Sequence, residues 1–338
     1  MTFEDIWKDQ EAGPAGGSGG CLARRIYPES AVELRLGIEK PSNARLLLLR
    51  VAASALRAPQ EFPRSLGFEV RRVFDSLDGR KHVHLAVRLA QPQFRDVFTS
   101  VAEDVACHVA RATGDVEAVR TLVGRLERWQ AFLKQHPAEG LSEESQQGLY
   151  GELWFLGRHA IPLVGPRDAV RSWKGPTGAP QDFHLPDLAV EVKTSIGRQH
   201  QKLTISSERQ LDSTGVGLLL LFHLSLDARQ GGGETLPGRV RLTRELVRAD
   251  PVASGEFEDS LFDAGYLDCH APAYEQVGYT VRESNFFEVR DLFPRIVETD
   301  LKKGVGDVRY TVSVAECKNY LLPEPRLHQL LGAPAHGR

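Results

Sequence analysis

Three residues near the middle of the chain have the types and the spacing of a hydrolytic metal site. Asp182 lies just before a short apolar run, and Glu191 and Lys193 lie two residues apart in the segment LAVEVKT. Hard carboxylate oxygens with incomplete protein coordination suit Mg²⁺, for which Mn²⁺ is the usual substitute, because Mg²⁺ keeps waters and takes phosphate oxygens as further ligands. A neighbouring ammonium could orient such a water or help to deprotonate it. This set of side chains favours phosphodiester hydrolysis.

A β-hairpin is the element that would bring these side chains together. The turn-forming pair Pro186-Asp187 lies between QDFHL and LAVEV, and Pro at the first turn position fixes its φ. With this two-residue loop Leu185 pairs with Leu188, and counting outward places Asp182 opposite Glu191. Opposed residues have Cβ atoms about 4.5–5.5 Å apart, and like charges this close need a positive charge between them. A divalent cation bound between Asp182 and Glu191 is the simplest source of that positive charge.

Strand alternation assigns the remaining side chains of this segment to its two faces. Glu191 and Lys193 project from one face, whereas Val190 and Val192 project from the other face into a core. We therefore expect Asp182 and Glu191 to bind Mg²⁺ together with the carbonyl of Val192. In the same scheme Lys193 positions the attacking water.

The helix before the hairpin contributes one more acidic candidate. In the helical pattern over residues 142–161, the inward stripe includes Leu149, Leu153 and Leu156, and Glu152 falls at the edge of that stripe. An acid in this place is either a snorkelling or salt-bridged side chain, or a group that reaches the metal directly or through the hydrogen bonds of its ligands. Both interpretations remain open at the sequence level.

Polar residues downstream of the motif are candidates for substrate binding. Arg198 and Lys202 could line a phosphate track, although mixed surface charge is an alternative explanation for such a run. Ser195 lies on the same side of its strand as Lys193 if alternation continues. Gln210 is either a helix surface residue or a hydrogen-bonding group that supports the site.

Context separates the central acid-x-Lys tripeptide from its chance copies. Two further copies, DLK at 300–302 and ECK at 316–318, are present in the chain. Only the central copy follows a segment with an opposed Asp and lies between an amphipathic helix and a strong apolar strand. The prediction therefore rests on Glu191 and Lys193.

Hydrophobic periodicity places this site in a mixed α/β chain. Alternation over residues 31–89 predicts a small, mostly antiparallel sheet, and a helical period over 92–136 predicts two helices. The middle is read as a helix, a Pro/Gly-rich loop, the strands QDFHL, LAVEVKT and KLTIS, a short helix SERQL, and the buried strand VGLLLLFHLSL. The predicted domains are an N-terminal α+β domain (1–137), the core (138–235) and a C-terminal α+β extension (236–338).

Composition and charge limit the possible classes. The net charge is -3, so a basic nucleic-acid binding domain is not indicated and phosphate binding must be local. The four cysteines are far apart, which favours reduced thiols. No charged segment leads into an apolar stretch at the N-terminus, and the longest apolar run is too short to span a bilayer. We expect a cytoplasmic protein with no membrane partner.

The motifs GELWFL, W-x-GP before DF, EVKTS and ISSERQL resemble the PD-(D/E)XK family of bacterial nuclease-like proteins over residues 151–211. The resemblance implies a restriction-endonuclease-like αβββαβ core in which Asp182, Glu191 and Lys193 fill the motif. It also makes Gln210 a candidate for a supporting role. Gln181 stands where the motif's name has Pro, and the literal Pro186-Asp187 lies too close to Glu191, so we assign that pair to the turn.

What the resemblance implies is Mg²⁺-dependent cleavage of DNA, within a bacterial defence or restriction system that includes other proteins. Many such nucleases dimerise to cut both strands, so a homodimer is one possible assembly. Two alternatives stay open. The chain could be a catalytically silent DNA-binding or scaffold subunit of a multi-protein complex, or it could hydrolyse RNA, because water attack does not need the 2′-OH.

Overall fold

The computed structural model describes residues 1–13, 21–56, 61–74, 81–136, 138–197, 201–323, 325–326 and 329. The chain forms two compact units, Met1–Gly140 and Leu141–Arg338. The fold is mixed α/β, as predicted. The three-part domain division made from the sequence stays a prediction.

The first unit is an antiparallel sheet with helices packed on it, as the alternation in its sequence predicts. The strand order is β1-β2-β3-β5-β4, and every described pairing is antiparallel. α1 and β1 were not predicted, because α1 buries only Ile6 and Trp7 and β1 is exposed along most of its length. In chain order the elements are α1 (Phe3–Ala12), β1 (Cys21–Ile26), β2 (Glu33–Glu39), β3 (Ala44–Ala52), β4 (Phe68–Phe74), β5 (His82–Leu89), α2 (Arg95–Val109) and α3 (Asp115–Gln135).

The second unit contains the predicted motif. Its first part is α4 (Glu143–Phe155), a π-helical stretch (Leu156–Ala160), α5 (Ile161–Val164), α6 (Pro166–Ser172), β6 (Phe183–Leu185), β7 (Leu188–Ile196), β8 (Lys202–Ile205) and β9 (Leu218–Gln230). Its second part is β10 (Glu234–Thr235), α7 (Leu236–Val247), α8 (Pro251–Asp263), α9 (Ala271–Tyr274), β11 (Val277–Glu288), β12 (Tyr310–Ser313), α10 (Val314–Cys317) and β13 (Leu321–Leu322).

The main sheet of this unit has the order β10-β11-β9-β7-β6, with β13 paired to β11. β7 and β9 run parallel over nine positions, Leu188–Ile196 against 218–226, and the other pairings are antiparallel. The first five residues of β7 are buried, as are eight consecutive residues of β9, Leu219 to Leu226. Near-continuous apolar runs of this kind are typical of parallel strands that are covered on both faces.

Two details of the predicted core were wrong. The strand KLTIS, which is β8, pairs with β12 in a separate two-stranded sheet instead of joining the main sheet. The segment SERQL forms turns and no helix. The Ser206 amide donates to Oε1 of Gln210, and the Arg209 amide donates to Oγ of Ser207. Such local side-chain hydrogen bonds compete with helix formation.

The two faces of the main sheet carry separate apolar cores. Val190 and Val192 of β7 lie in the core beneath α4, α7 and α8, as alternation predicts. Ala189, on the opposite face, packs with Leu203 and Ile205 of β8. Glu191 and Lys193 belong to this second face by alternation. Within the described ranges, no helix combines the length and the apolar composition that crossing a membrane requires.

Candidate active site

The hairpin β6–β7 forms with the predicted register. Leu185 pairs with Leu188, and Phe183 pairs with Val190. Asp187 has a φ of 56°, a left-handed conformation that Asp tolerates in a tight turn. Because β6 has only three residues and β7 has nine, β6 leaves the edge of β7 unpaired from Glu191 onward. The candidate site lies along this open edge.

Asp182 immediately precedes β6 and is fixed through its backbone and its side chain. Its carbonyl oxygen accepts hydrogen bonds from the amides of Lys174 (2.7 Å) and Gly175 (3.1 Å). Its Oδ2 accepts the amide N–H of Val192 at 2.7 Å. The Asp182 carboxylate thus accepts the Val192 amide hydrogen bond that a carbonyl of a longer β6 strand would otherwise accept.

Glu191 and Lys193 form a close ion pair next to Asp182. Lys193 Nζ lies 2.7 Å from Oε1 of Glu191, and the two side chains are 16% and 0% exposed. Apart from this ion pair, the Glu191 carboxylate accepts no hydrogen bond from any residue that the structure describes, so Oε2 has no donor. A buried carboxylate oxygen without a donor is an unfavourable arrangement.

Glu152 reaches the same place from α4. Its Oε2 accepts a hydrogen bond of 2.7 Å from the indole Nε1 of Trp173. Trp173 is 2% exposed and forms an isolated β-bridge with Phe183 at the start of the hairpin. The tryptophan therefore connects the helix, the loop and the hairpin that carry the acidic groups.

Gly175 keeps the space between two of the carboxylates open. A Cβ at this position would lie 2.7 Å from Oε2 of Glu152 and 2.9 Å from Oδ1 of Asp182. The two oxygens therefore flank one point beside the loop backbone. A side chain at this position would force one of the two carboxyl groups to move.

Burial and mutual repulsion shift the pKa values of the acidic groups upward. Burial, followed by the charge of Asp182, raises the pKa of Glu152 to about 8, and the indole of Trp173 opposes this rise. Burial also raises the pKa of Asp182, against the opposing effects of Lys193 and the Val192 amide. For Glu191, burial and then Asp182 raise the pKa well above its usual value.

Lys193 is the positive charge that lowers the pKa of all three carboxyl groups and so opposes the rise caused by burial. Burial by itself would lower its pKa, but Glu191 and then Asp182 outweigh that effect, so the pKa is raised and the ammonium stays protonated. One cation thus faces three carboxyl groups. Such clustering of perturbed groups in a cleft is typical of functional sites.

These groups open onto a cleft of about 560 Å³. Of the sequence-predicted residues, the cleft is lined by Glu152, Asp182, Val192, Lys193, Ser195, Lys202 and Gln210, whereas Glu191 lies behind its wall. Lys202 is exposed. The predicted substrate contact Arg198 lies outside the described residues.

Ser195 and Gln210 already have hydrogen-bond partners. Ser195 Oγ lies 2.8 Å from Nε2 of His223, and Oε1 of Gln210 accepts the Ser206 amide at 2.8 Å. Their positions in the cleft are consistent with the sequence prediction. Their roles in substrate binding stay proposals.

Gln181, which stands in place of the motif proline, has a structural explanation. It is 5% exposed, and its Nε2 donates to the carbonyl of Arg209 at 2.9 Å. Its Oε1 lies 3.1 Å from Nε2 of His184. A proline could make neither contact, so Gln181 ties the hairpin to the turn that follows β8.

Sequence reasoning missed Trp173, Gly175 and Gln147 as site residues. Gln147 of α4 lines the cleft and donates to Oγ1 of Thr194 at 2.9 Å. The motif W-x-GP was the available signal for Trp173 and Gly175, but periodicity reads that stretch only as a loop. All three contact residues that are distant in the sequence, and local patterns do not show such contacts.

The chance copies of the tripeptide have different surroundings. Glu316 and Lys318 are exposed, at α10 and the turn that follows it, and Asp300 and Lys302 are exposed in a turn region. None of the four lines the cleft. The structure thus brings together only the central copy with further acidic groups.

The family comparison agrees with this arrangement. Residues 3–315 match the model of a protein family whose description reads "Putative PD-(D/E)XK family member, (DUF4420)". The chain belongs to this family. Membership extends over nearly the whole chain and indicates a nuclease-like protein. No curated protein and no solved structure shows a significant match.

Members of the PD-(D/E)XK superfamily generally use divalent metals. In the described ranges, no set of three or more His, Cys, Asp or Glu side chains has the geometry of a metal site. The residues nevertheless fit an ion that needs few protein ligands, because Oε2 of Glu191 is buried without a donor and three carboxyl groups face one ammonium. Mg²⁺ is typically bound by one or two carboxylates together with waters and phosphate oxygens.

Proposed function

We propose that this protein is a Mg²⁺-dependent endonuclease that hydrolyses DNA phosphodiester bonds. The observation that carries the proposal is the buried carboxylate of Glu191, which is paired with Lys193 through Oε1, lies near Asp182, and has no hydrogen-bond donor for Oε2 among the described residues. Family membership supports the reaction class. The open edge of β7 provides access for a phosphate group.

In this proposal Asp182 and Glu191 hold the metal together with the carbonyl of Val192. The Val192 amide points to Asp182 across the open strand edge. Both backbone groups of a strand residue face the same neighbouring strand, so the Val192 carbonyl also faces this edge. Bound Mg²⁺ would stabilise negative charge on the scissile phosphate and supply an activated water.

Lys193 and Glu152 would act on the water and on the ligands. The Lys193 ammonium lies at the cleft wall and is held by Glu191, so it can orient the attacking water toward the phosphorus. Glu152 lines the same cleft and is held by Trp173. Lys202, also in the cleft, would contact the substrate phosphates.

The test is cleavage of supercoiled plasmid in Mg²⁺, in Mn²⁺ and in EDTA, by wild type and by Lys193→Ala. Lys318→Ala, which changes an exposed lysine of a chance copy, is the matched control. We expect metal-dependent nicking or cutting by wild type and the control, and none by Lys193→Ala. Circular dichroism should show that all three are folded.

Other outcomes identify the alternatives. No cleavage by folded wild type in either metal would favour a silent DNA-binding or scaffold subunit. Preferential cleavage of a matched RNA would identify a ribonuclease. Cleavage retained by Lys193→Ala would disprove the site assignment.

We also propose a role in bacterial defence or restriction, on the strength of the family resemblance. Phage plating efficiency on bacteria that express wild type or Lys193→Ala tests this role. Protection that needs Lys193 would support it, and equal plating with both variants would contradict it.

A further inference from the structure

One wall of the cleft is formed where β7 ends and β8 begins. β7 ends at Ile196, and Gly197 follows with a φ of +111°, a conformation that favours glycine. β8 begins at Lys202. Ser195, Ile196, Gln201 and Lys202 all line the cleft. The positions of these four lining residues therefore depend on the contacts that hold the chain at Gly197 and Gln201.

Arg282, from the C-terminal part of the chain, contacts this wall. It occupies an irregular position in β11, because Val281 pairs with Leu226 while Glu283 pairs with Ser225. A bulge of this kind redirects a side chain relative to the regular strand. The Nη2 of Arg282 donates to the carbonyl of Gly197 and, at 3.0 Å, to Oγ of Ser225.

Gln201, which directly precedes β8, contacts the same two acceptors. Its Nε2 donates to the Gly197 carbonyl at 3.1 Å and to Ser225 Oγ at 2.7 Å. Arg282 and Gln201 thus share both acceptors, and Ser225 is 1% exposed. The neighbouring contact between Ser195 and His223 continues this polar layer toward Lys193.

We propose that Arg282 is a positioning residue of the DNA-binding cleft, an inference that rests on the proposed nuclease function. It fixes the end of the strand that carries Lys193 and the start of the strand that carries Lys202. A planar guanidinium can hold two acceptors in a fixed geometry, which a lysine ammonium cannot do equally well. Arg282 is not among the described residues that line the cleft.

The experiment compares Arg282→Gln, Arg282→Lys and Ser225→Ala with wild type. Arg248→Gln is the charge-matched control, because Arg248 is 78% exposed at the end of α7. Steady-state cleavage gives kcat and KM. Hydrogen–deuterium exchange of peptides covering residues 194–204 reports directly on the wall, whether or not the protein cleaves DNA.

We expect Arg282→Gln to raise KM on the order of 3- to 10-fold while kcat changes less than about 2-fold, because lost positioning weakens substrate binding before it affects the reacting groups. Exchange in the 194–204 peptides should become faster. Arg282→Lys should show smaller increases in KM and in exchange rate than Arg282→Gln, but larger than none. Ser225→Ala should also raise both quantities. Arg248→Gln should match wild type in both.

The proposal is overturned if Arg282→Gln leaves the exchange of these peptides unchanged. It is also overturned if Arg282→Lys restores KM fully, since that result would indicate general charge attraction. If wild type does not cleave DNA, the proposed function fails, and the exchange data still decide whether Arg282 holds the wall. A fall in kcat with unchanged KM would assign Arg282 to a different role.

Discussion

The indole Nε1 of Trp173 donates a 2.7 Å hydrogen bond to Oε2 of Glu152. The two residues come from a loop and a helix that are separated by 21 positions in the sequence. Through this bond the loop before the hairpin fixes the acid of α4 beside Asp182. The spacing of the acidic groups is therefore set by a residue that carries no charge.

Trp173→Phe should weaken both the fold and the site. The change removes the indole donor, leaving a buried carboxyl oxygen unsatisfied, which costs about 1–3 kcal/mol. It should also raise the pKa of Glu152, because the indole lowers it. Urea unfolding measures the stability. Trp154→Phe is the control, since Trp154 stacks on Phe222; an equal loss in both variants would mean that the hydrogen bond adds nothing.

Gly175→Ala should remove activity with little loss of secondary structure. The added Cβ would lie 2.7 Å from Glu152 and 2.9 Å from Asp182, so one of the two carboxyl groups must move. A shift of about 1 Å at a catalytic group can reduce the rate about 100-fold. Plasmid cleavage and circular dichroism give the result.

The matched glycine change is Gly124→Ala in α3. A Cβ there would meet nothing within 4 Å, and Ala in place of Gly inside a helix stabilises by about 0.5–1 kcal/mol. This variant should unfold at a higher urea concentration and keep its activity. If it instead lost activity as Gly175→Ala does, the crowding explanation would be wrong.

Glu191→Gln should abolish the stabilisation of the protein by Mg²⁺. The change removes the charge of a buried carboxylate that the proposal makes a metal ligand. Wild type should gain about 2.7 kcal/mol when Mg²⁺ is present at 100 times its Kd.

Thermal unfolding of wild type and Glu191→Gln in EDTA and in Mg²⁺ measures this response. Lys318→Ala again serves as the control and should respond to Mg²⁺ like wild type. A response of Glu191→Gln equal to that of wild type would show that Glu191 is not a metal ligand.

His223 should make the stability depend on pH between about 6.5 and 4. Burial, and then the charge of Arg282, lower its pKa to about 4. The folded state thus keeps the ring neutral, while the unfolded state takes up a proton below about 6.5. Stability is complete above that pH and falls as pH decreases, by at most about 3 kcal/mol.

Urea unfolding at pH 7.5 and pH 5 tests this dependence. His223→Gln should reduce the difference between the two pH values, because Gln does not titrate. An unchanged difference would mean that other groups cause it. The neighbouring Ser195 accounts for one ring nitrogen, and the other, Nδ1, has no hydrogen-bond partner within the described residues.

The sequence by itself determined the hairpin and its register. Pro186 restricts the backbone at the turn, and Asp187 tolerates the left-handed conformation, so the pairing of Leu185 with Leu188 follows from local chemistry. The period of two then assigned Glu191 to one face of β7. Short-range rules were sufficient because turn geometry and strand alternation depend only on neighbouring residues.

The predictions for β8 and for SERQL were wrong for a corresponding reason. The partner of β8 is β12, which follows more than 100 residues later in the chain. The choice between strand partners depends on which apolar faces can be buried together, which local patterns do not encode. In SERQL, side-chain hydrogen bonds to the backbone replaced the helix.

Only the tertiary structure decided how the acidic groups are spaced and held. Trp173 and Gly175 belong to the motif W-x-GP, but neither that motif nor local periodicity shows what they contact, and no pattern marks Arg282. Each of the three contacts site residues that are distant in the chain. Hydrogen bonds and excluded volume operate between atoms that folding brings together. The residue types of the site can therefore be read from the sequence, whereas their support depends on the packed fold.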